Sequence, residues 1–140
     1  MIILVDTNIL LDFIQEREPF VDEADRIFQY CSDHVIKGCI AAHSVTNIFF
    51  ILRKDYSVDE RKTLLMDICR TMPIIGIDHE KIMASLINEN FDDIEDCLQW
   101  ECAISIDADY IVTRNIADFT NSPIPAILPE EFLEKLEVQE

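Results

Sequence analysis

Met1-Ile2-Ile3-Leu4-Val5-Asp6-Thr7-Asn8 runs five apolar residues straight into a carboxylate, a hydroxyl and an amide. A short unbroken apolar run of this kind fills a strand buried on both faces of a sheet. A carboxylate at its end stands at the carboxyl edge of that sheet, where open α/β folds place their ligands. The stretch therefore predicts an α/β protein with an acidic, metal-binding site. Asp6 also has a purely structural use, because Asp is a common N-cap for a following helix.

A second stretch repeats the pattern. Tyr110-Ile111-Val112-Thr113-Arg114-Asn115-Ile116-Ala117-Asp118-Phe119 is another apolar run that ends in hydroxyl, amide and carboxylate. Two strands of one parallel sheet deliver their C-terminal residues to the same edge, so Asp6 and the 113–118 segment are expected together. Between them lies Asp92-Asp93-Ile94-Glu95-Asp96-Cys97-Leu98, which reads as a helix with an apolar stripe at Ile94, Cys97, Leu98 and Cys102. Asp96 is off the middle of that stripe, with Asp92 and Asp93 at i−4 and i−3. Like charges on one turn repel unless solvent or a cation relieves them. A solvated acidic face is the alternative reading of this segment.

The remaining elements alternate, with no internal repeat. Residues 2–5 form the first strand and Ile9 to Ile14 a short helix. Pro19 opens a helix to about Ile36, with Val21, Ala24, Ile27, Phe28 and Cys31 on one face and Gly38 as its stop signal. Cys39 to Ala42 is a second strand, and Ser44 to Arg53 an apolar-rich helix. Ser57 is an N-cap with Glu60 at the capping-box position of a helix to about Thr71. Pro73 to Ile77 is a third strand. Asp78 caps a helix through Asn88, and Asp92 or Asp93 caps the next, through Ser105. Tyr110 to Thr113 is the fourth strand and Ala126 to Leu128 a fifth. Pro129-Glu130-Glu131 suits a helix N-terminus. The alternation implies a mostly parallel sheet of about four or five strands with helices on both faces, an α/β class. Two helices in succession between Ser44 and Thr71 depart from simple alternation and predict a helical hairpin inserted over one edge.

Composition sets the bounds. With 140 residues, 49% hydrophobic, the chain is one domain over 1–140 with a full core. No stretch approaches the roughly 20 apolar residues of a membrane span, and no basic leader precedes the first apolar run, so no signal peptide is expected. Five cysteines (Cys31, Cys39, Cys69, Cys97, Cys102) form no CxxC pair and read as small core residues in a reducing cytoplasm. The histidines His34, His43 and His79 form no zinc motif and read as helix-end or surface residues. The net charge of −17 repels nucleic acid at long range, so RNA or DNA would need a local basic patch, a bound cation or a basic partner. Arg53-Lys54, Arg61-Lys62 and Arg70 read as solvated helix surface.

Val5-Asp6-Thr7-Asn8, Asp96 on its helix, and Thr113-Arg114-Asn115 with Asp118-Phe119 together resemble the motifs of PIN-domain nucleases. The resemblance covers nearly the whole chain, and in length it extends to bacterial toxin ribonucleases of the VapC type. It implies a three-layer α/β/α sandwich, an acidic cluster holding Mg²⁺ or Mn²⁺, and endonucleolytic hydrolysis of RNA. It also implies a homodimer and a cognate antitoxin. Asp6, Asp96 and Asp118 would be the metal-binding and catalytic acids, a donor set suited to hard cations. Thr7, Asn8 and Thr113 would orient ligands or waters. Asn115 stands where many relatives carry Asp. Arg114 reads either as a contact to substrate phosphate or as plain surface. One departure is clear: the family's usual glutamate on the helix after the second strand is replaced by Asn47. An amide brings no charge and no general base, so metal affinity should fall unless Asp92 or Asp93 compensates. Two hypotheses follow: an active ribonuclease with a weakened site, or a PIN-like module that binds RNA or a partner without cleaving. A haloacid dehalogenase-type phosphatase would need an aspartate where Asn8 stands. A receiver domain would need a phosphoacceptor on a central strand and a late lysine; neither is evident.

Overall fold

Successive strand residues face opposite sides of a sheet, and the first strand shows what that demands here. In β1 (Ile2–Val5), Ile3 and Val5 enter one apolar core and Leu4 the other, all fully buried. An unbroken apolar run is the sequence that such a strand needs. The structure is a computed structural model that describes residues 1–139. Among these residues, β1 is followed by α1 (Thr7–Ile14), α2 (Val21–Ser32), β2 (Lys37–Ala41), α3 (Ala42–Ile51), α4 (Val58–Thr71), β3 (Ile74–Ile75), α5 (His79–Ile87), α6 (Ile94–Ser105), β4 (Tyr110–Val112), β5 (Ala126–Ile127) and α7 (Pro129–Gln139). All strand pairings are parallel, in the order β3-β2-β1-β4-β5.

The fold is a three-layer α/β/α arrangement. One face carries α1, α2, α3, α4 and α7 over Ile3, Val5, Ile40 and Val112. The other carries α6 over Leu4, Cys39, Ala41 and Ile111, with α5 packed against α6. From β1 the chain moves outward to β2 and β3, then returns to place β4 on the opposite side of β1. The carboxyl ends of β1 and β4 therefore flank a topological switch point, the position at which open α/β sheets form their ligand crevice. Asp6 and Thr113 are the residues that leave those two strands.

Several local signals act as read. Ser57 and Glu60 form a reciprocal capping box at α4. Asp78 caps α5, and of the two candidates at α6 it is Asp93 that caps, accepting from Asp96 N–H at 3.1 Å. The α3–α4 pair is the predicted helical insertion, joining β2 to β3. The five cysteines are free, and no helix among the described residues is long and apolar enough to cross a membrane.

Other boundaries differ. Pro19 lies in a turn before α2, and the helix stops at Ser32 rather than near Ile36. His34 takes a left-handed backbone (φ 60°), with its N–H donating to Cys31 O at 3.1 Å and the Val35 N–H to Tyr30 O at 3.0 Å. This is the paired bonding of a Schellman stop, made without glycine. Gly38 does not end that helix; it lies within β2. A Cβ there would stand 2.5 Å from Cys31 Sγ, so the glycine lets α2 press onto the sheet. The second strand consequently starts at Lys37 and ends at Ala41, and α3 starts at Ala42. The third strand is shorter than Pro73–Ile77 because only Ile74 and Ile75 pair at the edge, with Ile40 and Ala41.

Candidate active site

Asp6 combines both uses that its position allowed. Its Oδ1 accepts from Thr7 N–H at 2.7 Å, capping α1. Its Oδ2 accepts from Thr113 Oγ1 at 2.8 Å and from Asn8 Nδ2 at 3.3 Å. The backbone of Asp6 is tied to β4 by its N–H to Val112 O at 3.0 Å. Thr113 is fully buried behind the carboxylate. It also accepts from Asn115 N–H at 3.0 Å and from Asn8 Nδ2 at 3.3 Å. Asn8 Oδ1 in turn accepts from Arg114 N–H at 3.3 Å. The ends of β1 and β4 are thus one hydrogen-bonded unit built around a carboxylate that is only 8% exposed.

That carboxylate opens onto a cleft of about 470 Å³. Asp6, Thr7 and Asn8 form its floor, Asn115 one side, His43 and Asn47 of α3 another, and Glu95, Asp96 and Gln99 of α6 the third. Leu11, Phe50 and Ile51 supply an apolar rim. Asp118 is exposed on a 3-10 turn (Ile116–Phe119) and lines an adjoining depression of about 240 Å³, with Asp96 common to both. Asp92 and Asp93 border that depression too. The structure therefore brings Asp6, Asp96, Asn47 and Asn115 into one cleft and sets Asp118 beside it. Among the described residues, no three His, Cys, Asp or Glu side chains converge closely enough to hold a metal ion by themselves.

The electrostatics are those of acids lacking a counter-charge. Burial raises the Asp6 carboxyl above its ordinary value, against the opposing bonds from Thr113 and Thr7, and the Asp118 charge raises it further. Asp96 is pushed up to about 7, by burial first and then by Asp93, Asp118, Asp6 and Glu95. Both shifts are paid in stability. A carboxyl raised in the folded state binds more protons there than in the unfolded chain, so stability falls as pH rises through that window. We expect the melting temperature in chelator to drop between pH 5 and pH 8, across the rise to about 7 at Asp96. Asp96→Asn should flatten that slope. A slope unchanged by the substitution would remove Asp96 as its source.

Arg114 does not enter the cleft. Its guanidinium pairs with Asp12 of α1, Nε to Oδ2 at 2.7 Å and the second nitrogen to Oδ1 at 3.1 Å. It also lies 3.9 Å over the Phe20 ring. It supports the 113–115 segment from behind. Three cleft residues were not singled out from sequence. His43 Nε2 meets the Glu95 carbonyl at 3.1 Å, and burial holds its imidazole below the usual range despite that bond and the nearby acids. Gln99 Nε2 donates to Ser44 Oγ at 2.8 Å, and Ser44 also receives Thr7 Oγ1 at 2.8 Å. Glu95 is also among the residues that line the cleft. The available signal was spacing: 95, 96 and 99 lie at i, i+1 and i+4, one polar face beside the apolar stripe.

The fold and site define a parallel α/β sandwich with acidic residues gathered at its switch point. The chain belongs to the PIN-domain family: the family model for the PIN domain matches residues 2–117. This family is typically one of nucleases and generally uses divalent metal ions. Similar solved structures include a toxin–antitoxin complex from Klebsiella pneumoniae, at 21% identity and TM-score 0.69 over 90% of this chain and 96% of that one. VapBC2 from Rickettsia felis, bound to a DNA fragment from its promoter, matches at 17% identity and TM-score 0.65 over 91% and 98%. VapBC-1 from nontypeable Haemophilus influenzae matches at 13% and 0.66 over 93% and 99%. These likenesses are of fold. No curated protein matches the sequence.

Proposed function

We propose that this protein is a Mg²⁺- or Mn²⁺-dependent endoribonuclease of the toxin–antitoxin kind. The observation that carries the reading is the state of Asp6: buried, fixed by three donors, facing Asp96 across a cleft, and without a Lys or Arg ion pair among the described residues. Such a carboxylate is prepared for a cation. Mg²⁺ is ordinarily held by one or two carboxylates and keeps several waters. Asp6 and Asp96, with the amide oxygens of Asn47 and Asn115, are therefore a donor set of suitable chemistry. When bound, the ion supplies positive charge against the phosphodiester and a water of lowered pKa. Asp6 and Asp96 hold it, Asp118 adds negative charge from the adjoining depression, and Thr113, Asn8 and Thr7 keep Asp6 in one orientation.

A net charge of −17 means that RNA must be met locally, while a basic antitoxin segment would be drawn in by charge complementarity. A similar solved structure is itself a toxin–antitoxin complex, which supports such a partner; a homodimer and a cytoplasmic setting are part of the same proposal. The neutral Asn47 and Asn115 in the cleft favour a second reading, a module that binds RNA or a partner with little cleavage. Incubating the protein with a panel of folded RNAs separates the two. Cleavage that needs Mn²⁺ and is stopped by chelator is the expected result. Retention of RNA on a filter without any cleavage would replace the first reading with the second.

A further inference from the structure

Glu95 meets α3 twice. Its carbonyl contacts His43 Nε2 at 3.1 Å, and its Oε1 accepts from Asn47 Nδ2 at 3.4 Å. His43 and Asn47 are four residues apart on α3, so one helix face grips both the backbone and the side chain of Glu95. The bond from Asn47 engages one carboxylate oxygen, and no other bond among the described residues engages its partner. The same cleft holds an independent sign of a missing ligand. Gln99, one turn along α6 from Glu95, is only 2% exposed and lines the cleft. Its amide is bonded on the nitrogen side, but its Oε1 is buried without a partner. Buried acceptors are rarely left unmet, because the lost solvation costs free energy. A donor such as a metal-bound water would satisfy this one.

We propose that Glu95 supplies a third carboxylate to the metal cleft, acting on the cation through its waters rather than as a direct ligand, with Asn47 as the residue that positions it. The acid absent at 47 on α3 is thereby delivered from α6, on the neighbouring side of the same cleft. This inference rests on the metal-dependent reading above.

Mn²⁺ binding to the full chain, followed by calorimetry without RNA, tests it. Glu95→Gln keeps the shape and the contact from Asn47, and Glu95 is exposed, so the fold is retained; melting in chelator verifies this. We expect Mn²⁺ affinity to fall by roughly tenfold, within the range for loss of a metal-supporting group. The double variant Asn47→Glu/Glu95→Gln should recover most of that loss, an outcome that a merely structural Glu95 would not give. If Glu95→Gln binds Mn²⁺ like the wild type while Asp6→Asn does not bind it, the role of Glu95 is overturned and the metal site stands. If the wild type binds no Mn²⁺, the metal-dependent reading falls and this inference with it.

Discussion

Asp6→Asn should leave a folded protein whose metal-dependent RNA cleavage is reduced by roughly 10³-fold or more, beyond the roughly 10–100-fold cost of losing a supporting partner. The substitution is nearly isosteric. An Asn carbonyl oxygen can still accept from Thr7 N–H or Thr113 Oγ1, the bonds that now hold Asp6 at 2.7 and 2.8 Å. What it removes is charge at the one cleft acid that is both deeply buried and rigidly fixed. Because burial already disfavours the charged form of Asp6, the neutral amide should not lower stability in chelator. The two measurements are therefore expected to diverge: activity collapses while the melting temperature holds or rises. Cleavage at the wild-type rate would remove Asp6 from the mechanism. A large fall in melting temperature would show instead that the carboxylate is chiefly a helix cap.

Arg114→Ala should be the most destabilising single change near the site, by about 3–5 kcal/mol, the usual cost of leaving a buried charge unpaired. Asp12 is fully buried, and Arg114 gives it two well-formed bonds at 2.7 and 3.1 Å. The other cation in reach, Arg17, is 3.9 Å away with a side chain 39% exposed. The stacking of Arg114 on Phe20 is lost as well. Against a total stability of about 5–15 kcal/mol, such a loss is severe. Urea unfolding of Arg114→Ala and of Asp12→Leu/Arg114→Leu measures it. The double variant should cost far less than Arg114→Ala, since removing a buried pair together is often close to neutral. A loss below about 1 kcal/mol for Arg114→Ala would place the pair among the weakly coupled surface bridges. Cleavage should also weaken, because Arg114 anchors the segment that carries Thr113 and Asn115, without touching the cleft itself.

These two residues mark different degrees of legibility. The place of Asp6 could be read because its cause is local: an apolar strand running into a carboxylate fixes where on a sheet that carboxylate stands. Arg114 was legible only as a basic residue beside the site, open to substrate or solvent. Its partner lies 102 positions earlier, and no periodicity links the two. Asn47 was recognised as a neutral residue in a place that usually bears charge. That an acid from another helix stands against it depends on how α3 and α6 pack.

The sequence by itself determined the elements whose signals are short-ranged: the doubly buried first strand, the capping box of α4 and the caps of α5 and α6, the alternation that makes the sheet parallel, and the two strand ends that share one edge. Those features rest on side-chain alternation and on hydrogen bonds that close within three or four residues. The tertiary structure decided the strand order and hence the switch point at β1 and β4. It also decided the stop of α2 at Ser32 through the left-handed His34, the packing role of Gly38, the pairing of Arg114 with Asp12, and the gathering of Glu95, Gln99 and His43 in the same cleft as Asp6. Each of these depends on contacts between distant segments, whose free energy is settled only when the layers pack and each buried polar group finds, or lacks, a partner.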